Sequence, residues 1–274
     1  MKDEIAAEDA RVLSESMLEL AEVGGLEIGA MFDPPPDQSV AGLQRADAVN
    51  FSDGDSWAVS SAQEAIGWTT LAALDHVRGY ALLVQAGLSL APIALARAAV
   101  EALGIAGYLL GSKDAEALLT RYLSLRYSEL RFPAKHGVQM EDGAGGVILA
   151  SNRKSEIREV MTTKGFRAPL RIEISALATA VMDKTFGGRG AEHYSQLSTA
   201  THSAGPMLAL HMSATSLRPS RAITITAALE ATGSLVFVVN EIIRVFQLSG
   251  NTWRSASSDA YEAVIVLAET LNKM

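Results

Sequence analysis

The chain has 274 residues, 49% of them hydrophobic and 20% charged, and contains no cysteine. That balance excludes a disordered or collagen-like polymer, and the missing thiols exclude disulfides, thiolate nucleophiles and thiolate metal sites. A formal net charge of −8 excludes a strongly basic nucleic-acid binder.

The acidity is concentrated at one end. Residues 1–60 hold three Lys/Arg against thirteen Asp/Glu, whereas 113–171 hold eleven against seven, a mild basic patch that includes Arg121, Arg126, Arg131, Lys135 and Arg153. The opening MKDEIAAEDARVL has no apolar run, so no secretory leader is expected and a cytoplasmic, bacterial-type protein is. A first helix is expected from Glu4 to Val23, with Val12, Leu13, Met17 and Leu20 on one stripe and Gly24-Gly25 as its stop. From 26 to 61 the periodicity dissolves around Pro34-Pro35-Pro36 and the Asp53–Ser56 turn cluster, which lacks the ligand spacing of a calcium loop. The chain therefore divides into an acidic N-terminal helix with an irregular arm, 1–61, and a helical bundle, 62–274.

The remainder reads as helix throughout. Ile66, Thr70, Ala73, Val77, Ala81 and Val84 keep a 3.6-residue period over 62–87. Pro92 opens a helix to Leu110 that Gly111 stops, and Asp114 opens another that Pro133 ends. Shorter helices are expected near 151–163, 173–185, 193–202 and 207–216, then a long one over 221–248 and a last one over 257–272. Only 146–150 and 223–226 have strand-like runs, both too short for a sheet. The fold class is all-α, a single multi-helix bundle. Residues 93–110 and 221–248 are apolar enough to suggest membrane spans, but Arg97, Glu101, Glu230, Asn240, Glu241 and Arg244 interrupt them. They are expected instead as central helices surrounded by others, with no membrane partner.

Polar side chains in so apolar a setting are the candidates for chemistry. Arg97 and Glu101 lie one turn apart, and Tyr108 seven residues further on is expected on the same face. A buried charge must be paired, so this group is either a structural ion pair or part of a pocket. Tyr194, Ser198 and His202 form a second column at four-residue spacing, in which His202 could carry a proton near neutral pH. Glu230, isolated in an aliphatic run, is a secondary candidate that could pair with Arg97 or Arg121. Asp75, His76, Glu101 and His202 could converge on a metal, but their spacing gives that little weight, and neither metal nor cofactor is expected.

The order Arg97-x-x-x-Glu101, then Arg121-Tyr122 through Arg126-Tyr127, then Tyr194-x-x-Leu197-Ser198-x-x-x-His202 resembles a bacterial, mostly actinobacterial, family of all-helical proteins of unknown function. The likeness covers about 62–205. It implies an α-helical fold with these residues gathered together and implies no reaction. Arg131-x-x-x-x-His136 also resembles the Arg/His motif of HEPN-type ribonucleases, which would place His136 on a ribose hydroxyl and Arg131 on the phosphate; Pro133 between them argues against a shared helix face.

The expected function is an enzyme or a small-molecule binder with an apolar pocket between helices. Glu101 and His202 would be catalytic, and Arg97, Tyr108, Arg121, Tyr194 and Ser198 would hold a hydrophobic or aromatic substrate. The alternatives are a ribonuclease acting on RNA, and a non-catalytic dimeric module using the last helix (Tyr261, Val264, Val266, Leu267, Leu271) as its interface. A homo-oligomer is expected.

Overall fold

The computed structural model describes residues 5–48, 56–88, 90–141, 145–201 and 220–271. Among them the chain forms helices α1 (Ala7–Ala30), α2 (Val40–Ala48), α3 (Ser56–Gln85), α4 (Ala91–Leu110), α5 (Ala115–Glu129), α6 (Arg131–Lys135), α7 (Ala150–Thr163), α8 (Ile174–Thr185), α9 (Gly190–Thr201), α10 (Arg221–Phe246) and α11 (Asn251–Leu271). The fold is an all-α bundle. The expected helix at 207–216 lies outside the described residues.

Local chemistry sets several of these bounds. Pro92 sits in the first turn of α4 and Gly111 caps its end. The Asp114 carboxylate accepts from the Ala117 amide at 2.8 Å and so caps α5. Four expectations need correction. The helix opened by Asp114 ends at Glu129, before Pro133, which lies inside α6, and the run 146–150 does supply a strand to a two-stranded sheet. Gly24-Gly25 does not stop α1, because Gly24 serves packing: a Cβ there would meet Leu74 Cδ2 at 2.7 Å and Trp253 at 3.1 Å. The stretch 26–61 is not irregular throughout, since it holds the end of α1, all of α2 and the start of α3. A glutamine relay anchors α2: Gln44 donates to the Ser112 carbonyl at 3.2 Å, and Gln63 on α3 donates to the Ala41 carbonyl at 2.9 Å.

α3 and α4 form the central antiparallel hairpin, with α1 against α3, α8 and α10 against α4, and α11 between α1 and α10. One apolar core runs through them, including Leu13 and Met17 of α1, Tyr80 of α3, Leu103 of α4, Val238 of α10 and Trp253 of α11. Arg221 at the head of α10 ties two distant helices together, donating to Asp9 on α1 at 3.0 Å and Thr270 on α11 at 2.7 Å. A smaller cluster of Leu130, Ala150, Ile157 and Met161 lies under α6 and α7. Beside it, β1 (Gln139–Glu141) and β2 (Val147–Leu149) pair antiparallel, with Met140 opposite Ile148. The strand-like run 223–226 is helical, absorbed into α10.

Among the described residues, α4 and α10 are long and apolar enough to cross a membrane. In this fold both pack at the centre of the bundle, where Val100 and Leu103 of α4 and Val238 and Val239 of α10 are fully buried.

Candidate functional site

Helix α9 carries the site. Its start is clamped to α8: the Gly190 amide donates to Asp183 Oδ1 at 2.7 Å, and a Cβ on Gly190 would meet the Thr179 carbonyl at 2.2 Å. The turn that folds α9 back uses Gly187 and Gly188, both at positive φ (63° and 88°), where side chains are disfavoured. So placed, α9 presents consecutive residues to different neighbours. A helical step of about 100° sends Tyr194 toward α4 and His193 toward α10.

The Tyr194 side forms a closed polar triangle. Arg97 Nε donates to Glu101 Oε1 at 2.8 Å, the Tyr194 hydroxyl donates to the same oxygen at 2.7 Å, and Arg97 Nη2 donates to that hydroxyl at 3.3 Å. The guanidinium also lies 5.6 Å from the Tyr194 ring centroid. Burial and the bond to Glu101 raise the hydroxyl's pKa above the usual tyrosine range. Arg97 and Glu101 keep 21% and 29% of their side chains exposed, so this group sits at a rim and not in a dry core.

The structure thus brings Arg97, Glu101 and Tyr194 together and leaves other candidates apart. Tyr108 lies two turns beyond Glu101, about 10 Å along the axis, and pairs with α5 instead. The Arg121 guanidinium sits 5.1 Å from the Tyr108 ring and donates to its carbonyl at 2.5 Å. Both residues are therefore corrected from cluster members to a helix-to-helix tie. Ser198, half-buried one turn past Tyr194, makes no hydrogen bond to the triangle among the described residues. His202 lies outside the described residues. His136 turns its ring onto Phe132 at 4.2 Å, and no hydrogen bond joins it to Arg131. Among the described residues, no group of three His, Asp or Glu gathers as a metal site.

The His193 side is drier. Its Nδ1 lies 3.0 Å from Glu230 Oε1, and Glu230 is only 1% exposed. Glu230 therefore pairs with His193, and not with Arg97 or Arg121 as anticipated. The imidazole stacks on Phe186 (4.4 Å, 29°), whose ring lies over Gly233 one turn along α10 from Glu230. Burial pushes the Glu230 carboxyl up to about 9, and burial with nearby Arg189 pulls His193 below its ordinary value. Both shifts favour the uncharged pair, as expected where solvation is lost.

Glu230 Oε2 has no hydrogen-bond partner among the described residues. Its residue lines a cavity of about 260 Å³ walled mainly by Ile93 of α4, Leu197 of α9 and Ala222, Ile223 and Ala227 of α10, with Gln196 and Thr226 as the other polar members. Such a pair can present either a donor or an acceptor at Oε2, depending on which nitrogen holds the imidazole proton. That is the equipment of a proton carrier.

No protein-family model, curated protein or solved structure matches the chain.

Proposed function

We propose that this protein binds a small, largely apolar molecule between α4, α9 and α10, and that the Glu230–His193 pair is the polar anchor of that site. The observation that carries this reading is that Glu230, which lines a mainly apolar cavity, has one carboxyl oxygen buried without a partner among the described residues. Leaving such a group unsatisfied destabilises a fold by about 1–3 kcal/mol, so a ligand that engages it gains correspondingly. The cavity exceeds the ~150 Å³ that holds a benzene and falls below the ~300 Å³ of drug-sized sites, which sets the ligand's scale. Arg97, Glu101 and Tyr194 flank this cavity along α4 and α9, since Ile93 precedes Arg97 by one turn and Leu197 follows Tyr194 by three residues. Bonded to one another, they tie α4 to α9 beside the cavity, while the inner pair meets the ligand's polar end.

Calorimetric titration with benzyl alcohol and n-pentanol tests occupancy. At least one is expected to bind saturably at one site, and Ala222→Trp, at the half-buried edge of the cavity, to abolish it while the variant melts near wild type. Failure of both alcohols to bind, or equal binding to Ala222→Trp, refutes the reading.

A further inference from the structure

We infer that the ligand of the α4–α9–α10 cavity is a small primary amine with an apolar body, bound as its ammonium by Glu230 Oε2. This rests on the cavity being a ligand site and adds the ligand's class.

Charge selects that class. Among the described residues, Glu230 is the only one with an ionisable side chain in the cavity wall, and no Lys or Arg lines it. A carboxylate ligand would meet no cation there, and two buried carboxyl groups would compete for one proton. The groups facing Glu230 are few. α9 brings His193, α3 brings Tyr80, whose hydroxyl is already committed to the Thr224 carbonyl at 2.5 Å, and α4 and the end of α8 bring Ile93 and Phe186, neither of which titrates. Among the described residues, a carboxylate here therefore has no resident counter-ion. His193 does not supply one, because burial disfavours its protonation.

An arriving ammonium changes that balance. It donates to Oε2 while His193 keeps its contact with Oε1, so every oxygen of Glu230 is engaged. Attraction between unit charges is stronger where solvent is partly excluded than in water, and it offsets their desolvation where both carboxylate oxygens are hydrogen-bonded, Oε2 by the ammonium and Oε1 by His193. The proton balance follows: R–NH3+ meets a carboxyl that holds a proton at neutral pH, the carboxyl ionises, and that proton leaves for solvent. It does not settle on His193, since an imidazolium beside the ammonium would place two cations against one carboxylate. The aliphatic walls then cover the alkyl or arylalkyl body.

Titration at pH 7 with n-pentylamine, n-pentanol and pentanoate, matched in length, tests the class. The amine is expected to bind at least tenfold more tightly than the alcohol and pentanoate not at all. Repeating the amine titration in buffers of different ionisation enthalpy should show about one proton released per amine bound. Glu230→Gln should bring amine and alcohol within twofold of each other and abolish the proton release, with a cooperative thermal melt showing that the variant is folded. If the alcohol binds as well as the amine, or pentanoate binds best, or no proton is released, the amine assignment is wrong while the cavity stands. If no member binds, the cavity is not a ligand site and both readings fall.

Discussion

Residues 193 and 194 are neighbours in the chain and opposites in environment. Tyr194 completes a triangle with Arg97 and Glu101 in which the bonds close on one another and water reaches the edge. His193 meets a carboxyl that is 1% exposed and has a second oxygen left over. The difference teaches that satisfaction, more than polarity, separates a structural tie from a site. The triangle is complete without a ligand, whereas the inner pair is not.

The strongest way to break the comparison removes both sides at once. Gly190→Ala drives a methyl into the Thr179 carbonyl and the Asp183 amide, at 2.2 and 2.5 Å, and must lift the start of α9. A loss of about 3 kcal/mol is expected from such overpacking, read by urea unfolding. The next test isolates the inner pair by pH. Glu230 holds its proton to about 9 when folded but loses it near the ordinary carboxyl value when unfolded. Between roughly pH 4.5 and 9 the native state therefore binds the extra proton, and stability falls as pH rises. His193 acts in the opposite sense but only below its unfolded value near 6.5, where acid destabilises the native state. Thermal melts in matched buffers should show a decline from pH 6.5 to 9 on the order of 3 kcal/mol, and Glu230→Gln should flatten it. A wild-type profile rising over that range would contradict the buried carboxyl.

Smaller effects sharpen the contrast. His193→Ala strips Glu230 of its remaining partner and Phe186 of its stack, and should destabilise by about 1–2 kcal/mol at neutral pH in chemical denaturation. Arg97→Met breaks a part-buried i,i+4 pair at the rim and should lower stability by about 1 kcal/mol, an effect that shrinks in high salt. Equal losses from these two substitutions would erase the distinction between rim and interior.

Much of this was legible in the residues. Pro92, Gly111 and Asp114 mark helix ends by rules that hold locally, and Arg97 with Glu101 follows from helical spacing alone. That Tyr194 joins them agrees with the order of motifs along the chain. Gly24-Gly25 misled because a glycine selected for close approach to Leu74 and Trp253 looks, in one dimension, like a stop. Tyr108 misled because a shared face does not imply reach over two turns. Glu230 announced a need for a partner by standing in an aliphatic run, but its partner depends on how the Gly187-Gly188 turn folds α9 onto α8. No periodicity in a twelve-residue helix encodes that.

The clasp at Arg221 bears on how the chain is made. Its bond to Asp9 spans 212 positions, and the same guanidinium holds Thr270 on the last helix. At ribosomal rates of ~5–20 residues per second, roughly 10–40 s separate the emergence of α1 from that of the arginine that secures it. Until then the flank of α1 destined for α11 has no cover, and such long-range closure slows folding. Newborn copies therefore pass through a window in which that aliphatic flank is exposed before the native contacts can cover it.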